Sequence, residues 1–406
     1  MKTASRILMT YLVLSLLFTG AMVAAFCIPT AAIEENVRQS VQQVADGDKG
    51  FSPRVGLIEP LKLGTFSDCL ILGIAYCADT RQPLHAAMSD TFVMKDGSPI
   101  AGARQMTVTP PDPGLQPVVY SRYWHGNQTI VRPLLCVTTV GGIRVANVVL
   151  LSLLLIALLA VMWRRAGRCD ALIVTLSLAA VMFPSVPLCL NYVPTFYIAL
   201  VSSLVIVLWP RATSKRENTI VLFFIIGALT TFLDLLTTPM VAMAVPLVVY
   251  ILCRRPAKPL RAVIVLSLAW LLGYASLWAT KWLLAAVITG HAALSDAMGA
   301  VTQRTVGHDE QDYMLWCLKR TGAMFLATGL LTAALTLLLG KSRQAIRANA
   351  WMLLVALSSY VWAFVLLEHT WHHLHFTWRT FVVLVMGIAL FMRHTLSLRQ
   401  PLGLKE

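Results

Sequence analysis

The chain has 406 residues, of which 57% are hydrophobic and only 13% are charged, and its mean hydropathy is +0.71. These values lie far outside the range of soluble domains and exclude that class. The net charge of +14 comes from 33 basic against 19 acidic residues, and membrane topology accounts for it without nucleic acid. The composition predicts an all-α polytopic membrane protein.

Apolar segments that approach the length of a membrane span recur along the chain. An α-helix needs roughly 20 apolar residues to cross a hydrocarbon core about 30 Å thick. Ten segments are candidates: 7 to 29, 145 to 163, 171 to 190, 193 to 210, 218 to 238, 240 to 253, 262 to 287, 321 to 340, 350 to 368 and 375 to 392. We therefore expect a first transmembrane helix within 1 to 29, a nine-helix bundle over 145 to 392 and a tail from 393 to 406.

The first apolar segment has two interpretations. The small residues "TAA" at 30 to 32 would suit cleavage of a signal peptide. The apolar run is longer than the central region of a typical signal peptide, which favours an uncleaved signal anchor.

Lysine and arginine residues mark one face of the membrane. If Lys2 and Arg6 are cytoplasmic, further clusters fall on the same side, at 164 to 168, 211 to 216, 254 to 261, 341 to 347 and 393 to 405. Together these positions hold 18 of the 33 basic residues. Because cytoplasmic loops are enriched in Lys and Arg, both termini are predicted to be cytoplasmic.

The longest segment outside the predicted spans, 30 to 144, then forms an extracytoplasmic loop. It begins with "IEENVRQSVQQVADG", whose apolar stripe consists of Ile33, Val37, Val41 and Val44. This pattern predicts an amphipathic helix on the bilayer surface.

Three more segments outside the spans carry local predictions. A second helix is expected over 65 to 79. The segment from 95 to 119 is rich in Pro, Gly and Asp and is expected to be irregular. A second outer loop, 288 to 320, is expected to form a lid or a surface helix.

Ionisable side chains inside or at the edge of apolar segments are costly, so each is a candidate functional group. They are Asp234 in "TTFLDLLTTP", Lys281 in "YASLWATKWLLA", Arg379, and Glu368 with His369, His372, His373 and His375 in "LEHTWHHLHFTWR". The first outer loop adds Asp68 in "TFSDCLIL" and the aromatic stretch "YSRYWHGNQTIVRPLL" with Arg122, His125 and Arg132. All map to the predicted extracytoplasmic face, which favours a single one-sided site.

The combination suits a lipid-linked phosphate at the edge of a bilayer. Cations and histidines would bind the phosphate, a carboxylate would accept a proton from an attacking hydroxyl, and tryptophan rings would pack on a sugar. The candidate bases are Asp68, Glu34 and Asp234. The candidate substrate-binding residues are Arg122, Trp124, His125, Arg132, Lys281, His369, His372 and Arg379, with Trp371 and Trp378 as further aromatic platforms.

Other interpretations are open for several of these groups. The histidines and their neighbouring tryptophans are also typical of an interfacial belt. Asp234 could form a salt bridge to Lys281 or Arg379 that only holds helices together. The H-x-x-H-H spacing of 369 to 373 also occurs in membrane di-iron enzymes, but those sites need several such motifs, so no metal ligand is assigned.

The layout resembles the GT-C fold that oligosaccharyltransferases, protein mannosyltransferases and aminoarabinose transferases share. One transmembrane helix is followed by a long first outer loop and then by helices with short basic loops. The stretches "YSRYWHGNQTIVRPLL", "FLDLLTTP" and "LEHTWHHLHFTWR" look like segments of bacterial GT-C-like membrane proteins.

The resemblance implies a glycosyltransferase that moves a sugar from a polyprenyl-phosphate donor to a cell-envelope polysaccharide or glycolipid. It also implies a bacterial cytoplasmic membrane, an extracytoplasmic active face and a possible divalent cation. In these families the base is often an Asp-Glu pair after the first helix, where this chain has Glu34 and Glu35. Asp68 is therefore the expected base and Glu34 the second choice. His369, His372 and Arg379 correspond in layout to the region that holds the donor phosphate.

Two other classes compete with this expectation. A transporter or lipid flippase would need polar groups near the bilayer midplane and matching halves, which the sequence lacks. A non-catalytic envelope assembly protein would not depend on any single extracytoplasmic carboxylate.

Overall fold

The structure is a computed structural model that describes residues 2–45, 63–110, 112–290, 292–306, 329 and 343–395. Most of these residues are helical, and two short strands form one sheet. Within these described ranges, six helices are long and apolar enough to cross a membrane. The chain is therefore a helical, multi-pass membrane protein.

The elements are numbered in chain order. The first are α1 (Lys2–Phe26), α2 (Glu34–Ala45), α3 (Thr65–Cys77), α4 (Pro83–Ser89), β1 (Phe92–Met94), α5 (Pro99–Met106), β2 (Gln116–Val118) and α6 (Gln128–Leu135). The next are α7 (Val140–Arg165), α8 (Arg168–Met182), α9 (Val193–Leu208), α10 (Arg216–Leu233), α11 (Pro239–Arg254), α12 (Pro259–Thr289) and α13 (Ala293–Val306). The last are α14 (Arg343–Val365), α15 (Leu367–His372), α16 (Leu374–Thr377) and α17 (Val382–Thr395), with a 3-10 turn at Trp378–Phe381.

The predicted spans agree with these helices to different degrees. Those at 145 to 163 and 262 to 287 lie inside α7 and α12. The predicted span 171 to 190 was too long, because α8 ends at Met182 and prolines follow at 184 and 187, where a proline nitrogen has no hydrogen to donate. Helices α8, α9 and α11 have 15, 16 and 16 residues, fewer than the roughly 20 that a full membrane span needs. The span predicted at 321 to 340 lies outside the described residues, and the count of ten stays a prediction.

The basic clusters of the described chain meet at one end of the bundle. Arg6 donates a hydrogen bond to Asn218 at 3.1 Å, which joins the start of α1 to the start of α10. Arg254, at the end of α11, donates to the carbonyl of Ile206 near the end of α9. We call this the basic end, and we call the opposite end, where α2 to α6 pack, the loop end. At the loop end the amide of Gly126 donates to the carbonyl of Phe232 in the last turn of α10, at 2.8 Å.

Helices α10 and α12 pack closely through two glycines. A Cβ atom at Gly227 would lie 2.0 Å from the carbonyl oxygen of Trp270, and one at Gly273 would lie 2.1 Å from that of Phe224. Neither position has room for a side chain unless the backbones separate. The two helices are therefore in close backbone contact where Gly227 and Gly273 meet the facing helix.

The predicted amphipathic helix is present as α2, but its apolar stripe contacts protein. Val37 and Val44 are fully buried against residues of α3, α5 and α6. The opposite face carries Glu34 and Glu35, which form ion pairs with Arg38 at 3.3 and 2.8 Å. The stripe thus attaches α2 to the other elements of the loop end.

The prediction of an irregular segment from 95 to 119 was wrong for two parts of it, which form α5 and β2. Ser98 caps α5 by accepting a hydrogen bond from the amide of Ala101 at 3.3 Å, and Pro99 occupies the first turn. Strand β2 pairs antiparallel with β1, so that Val93 lies opposite Pro117. The start of the second outer loop forms α13, and its remainder, 307 to 320, lies outside the described residues.

Candidate functional site

A cavity of about 410 Å³ lies at the loop end, between α3, α13 and residues 367–379, which we call the histidine segment. The polar residues that line it are Ser67, Tyr120, Tyr123, Asn191, Arg304, His369, His372, His373 and His375. Apolar walls are provided by Leu63, Phe66, Leu70, Ile100, Leu235 and Phe376. Residues more than 300 positions apart in the sequence therefore line one cavity. Its apolar walls with a few polar side chains are typical of a ligand pocket.

The histidine segment lines one wall because the chain between α14 and α17 breaks into two short helices, α15 and α16. The Nε2 atom of His369 lies 2.9 Å from the carbonyl oxygen of Leu236. The rings of His369 and His373 are 4.7 Å apart, and His373 stacks on Phe376 at 5.1 Å. His372 is half exposed, with its Nε2 atom 3.8 Å from the Glu368 carboxylate.

Burial keeps the inner histidines neutral. Burial, followed by the charges of Arg304 and neighbouring histidines, lowers the pKa of His369 to about 4 and that of His373 to about 2. At neutral pH these two rings present hydrogen-bonding nitrogens without a full charge. In the described cavity lining, the permanent positive charge is that of Arg304.

Asp234 stabilises the turn that contacts His369 of the histidine segment. It follows α10 directly, is buried, and accepts hydrogen bonds from the amide of Thr237 at 3.1 Å and from its hydroxyl at 2.5 Å. The turn closed in this way contains Leu236, whose φ of +63° is uncommon for a non-glycine residue and whose carbonyl contacts His369. The alternative of a salt bridge from Asp234 to Lys281 or Arg379 is not what the structure shows.

Asp68 lies in the first turn of α3, beside the cavity lining but not in it. It is buried, accepts a hydrogen bond from the amide of Asn191 at 3.3 Å, and lies 3.6 Å from the guanidinium of Arg144. Burial raises the pKa of the carboxyl to about 6, although Arg144 and the backbone amides oppose the shift. Its neighbour Ser67 and its partner Asn191 both line the cavity.

The aromatic stretch supplies the opposite wall with Tyr120 and Tyr123. The Arg304 guanidinium lies 5.3 Å from the centre of the Tyr123 ring, and that of Arg122 lies 4.6 Å from the Tyr120 ring. Arg122 itself lies outside the cavity lining and forms a partly buried ion pair with Asp296 of α13 at 3.4 Å. His125 is completely buried beside both tyrosines, and burial lowers its pKa well below the usual value.

Three residues that the sequence predicts to bind substrate are instead committed to packing. Trp124 is fully buried and donates to the carbonyl of Leu277 at 2.7 Å. Arg132 is fully buried and donates to three backbone carbonyls, those of Ala25, Ile28 and Ala75. Lys281 is fully buried and bonds the Asp90 carboxylate at 2.6 Å and the Ala87 carbonyl at 2.8 Å. Their polarity meets the hydrogen-bonding needs of buried backbone and of Asp90, and none of the three lines the cavity.

Arg379 and Glu34 also lie outside the cavity lining. Arg379 is buried, donates to Ser185 at 2.6 Å and to the carbonyls of His375 and Phe376, and stacks 4.4 Å over Tyr192. It fixes the backbone that presents His375. Glu34 is on the exposed face of α2.

Two cavity residues had no signal in the sequence on their own. Arg304 lies in a loop helix of mixed character, and only its contact with Tyr123 identifies it. Asn191 follows a proline-rich turn between two apolar segments. The predicted topology places this turn at the loop end, but nothing in the turn itself singles out Asn191. In the described ranges, no three His, Cys, Asp or Glu side chains are grouped closely enough to hold a metal ion.

No known protein family, no curated protein and no solved structure matches this chain. Fold and site together define a multi-pass helical membrane protein with a polar, aromatic cavity at one end.

Proposed function

We propose that the chain is an inverting membrane glycosyltransferase of GT-C type, which moves a sugar from a polyprenyl phosphate to a cell-envelope acceptor. The observation that carries this proposal is the cavity that joins Arg304, the histidine segment, and Tyr120 and Tyr123 at the end opposite the basic clusters. In this proposal the chain crosses a bacterial cytoplasmic membrane ten times with both termini inside. The cavity then faces the cell envelope.

Each group of lining residues has a place in this chemistry. Arg304 pairs with the donor phosphate, and His372 and His369 add hydrogen bonds to its oxygens. Tyr120 and Tyr123 offer ring faces against which a sugar packs. The cavity volume of about 410 Å³ is within the range of roughly 300 to 1,000 Å³ that small-molecule pockets span.

The reaction is a direct displacement at the anomeric carbon. An acceptor hydroxyl oxygen forms the new bond to that carbon while the bond to the phosphate oxygen breaks, and the phosphate leaves with the electron pair. The hydroxyl proton goes to a base, and we assign this role to Asp68. A pKa of about 6 is close to the value that favours general-base catalysis at neutral pH. Asp68 is buried just outside the lining, so this role requires Ser67 and Asn191 to separate and admit the acceptor hydroxyl.

Replacing Asp68 with asparagine is expected to reduce sugar transfer by roughly 100-fold or more, because general-base catalysis contributes about that factor. The assay uses purified protein in nanodiscs with a panel of radiolabelled polyprenyl-phosphate sugars and envelope acceptors. Glu34→Gln is the matched control, since this carboxylate lies on the exposed face of α2. Size-exclusion elution and thermal unfolding of both variants confirm that they are folded.

The same assignment fixes the sign of the pH dependence. A base must be ionised to accept a proton, so wild-type transfer should rise as the pH increases through about 6 and then level off. Wild-type turnover in Asp68→Asn would remove Asp68 from the mechanism. Saturable binding of the lipid-linked donor without transfer to any acceptor would favour a flippase or a scaffold instead.

A further inference from the structure

A second cavity, of about 350 Å³, lies at the basic end between the starts of α10 and α12. Three cationic side chains line it, those of Arg216, Lys258 and Arg261. Within the described residues, none of the three has an acidic partner, and no acidic side chain lines the cavity. The nearest acid in sequence, Glu217, is in the first turn of α10 but not in the lining.

The helix starts at this cavity concentrate positive charge further. The N-cap positions of α10 and α12 are occupied by Lys215 and Lys258, and neither side chain makes a capping hydrogen bond. A helix start carries a partial positive charge and unpaired amides, so Asp, Ser or Thr is favoured there and a cation is unfavourable. Arg216 and Arg261 lie in the two first turns; Glu217 offsets part of this charge in α10, whereas the first turn of α12 has no acidic residue. The repulsion in this arrangement would be relieved by an anion in the cavity.

The remainder of the lining is mostly apolar, with Thr219 and Tyr250 as its two hydroxyl-bearing residues. Ile220, Val265 and Leu266 form the wall below the cations. Beyond them the outer face of α12 exposes Ile264 and Leu268, at 49% and 59%. A ligand with a negative head and a hydrocarbon tail would match both parts, whereas a soluble anion would leave the apolar wall unused.

We propose that this cavity binds the headgroup of an anionic phospholipid, with the phosphate between Arg216, Lys258 and Arg261 and the acyl chains along α12. The site is independent of the glycosyltransferase proposal, since it lies at the other end of the bundle. Lipid bound here stabilises the contact between α10 and α12.

Thermal unfolding in nanodiscs of phosphatidylcholine, with and without phosphatidylglycerol, tests the proposal. Phosphatidylglycerol should raise the Tm of the wild type. The double variant Lys258→Gln/Arg261→Gln should keep less than half of that gain. The control Arg164→Gln/Arg165→Gln removes the same charge from the end of α7, outside the cavity lining, and should keep the full gain.

A second variant, Lys258→Ser, gives an independent readout. A serine at the N-cap supplies the missing side-chain acceptor. In phosphatidylcholine alone this variant should unfold at a higher temperature than the wild type, and phosphatidylglycerol should add less. Equal losses in the two double variants would show a diffuse charge effect and overturn the site. The full gain from inorganic phosphate alone would overturn the assignment to a lipid.

Discussion

Lys281→Met is expected to destabilise the folded protein by about 3 to 5 kcal/mol, because it leaves the buried Asp90 carboxylate without its cation. The ion pair is completely buried and joins α12 to the end of α4. Thermal or denaturant-induced unfolding in detergent measures the loss.

The pH dependence and a double variant make this prediction specific. Burial already raises the pKa of Asp90 to about 7 with Lys281 present. Without the lysine, the folded state favours the protonated acid even more, so Lys281→Met should be less destabilised at pH 5 than at pH 8. Lys281→Met/Asp90→Asn should recover part of the stability at pH 8, since no unpaired charge is left. Identical stability of both variants at both pH values would contradict a buried charge pair.

Gly227→Ala is expected to cost about 3 kcal/mol or more, because its methyl group would meet the carbonyl oxygen of Trp270 at 2.0 Å. A backbone oxygen cannot move aside as a flexible side chain can, so α10 and α12 would have to separate. The unfolding temperature in detergent is the measurement.

The control for this change is Gly20→Ala in α1, where no atom lies within 4 Å of the new methyl group. Because alanine has a higher helix propensity than glycine, this variant should be as stable as the wild type or more so. Equal destabilisation by the two substitutions would argue against close packing of α10 on α12.

Much of the fold could be predicted from the sequence, because lipid-facing helices must be continuously apolar. The spans at 145 to 163 and 262 to 287 were found for this reason inside α7 and α12. The segment from 95 to 119 looks irregular because it is rich in Pro, Gly and Asp, yet Ser98 and Pro99 begin a helix there. Length and hydropathy do not show such local capping.

The candidate site was less predictable, because a polar residue in an apolar segment has the same appearance whether it binds a ligand or a neighbour. The structure places His369 and His372 in the cavity lining, and their role in binding substrate stays a prediction. Lys281 looked equally functional, yet its partner Asp90 lies 191 positions away and no local pattern connects the two. The place of Arg304 in the cavity depends on the position of α13 beside Tyr123, which only the tertiary structure supplies.

The length of α12 sets the height of the site above the membrane. At about 1.5 Å per residue, its 31 residues extend about 46 Å, well beyond a hydrocarbon core about 30 Å thick. If α12 enters the bilayer near Arg261, its last turns stand in the aqueous layer and support α4 and α13 there. Under the proposed function, a water-soluble acceptor would then approach the cavity from the side while the lipid-linked donor keeps its hydrocarbon chain in the membrane.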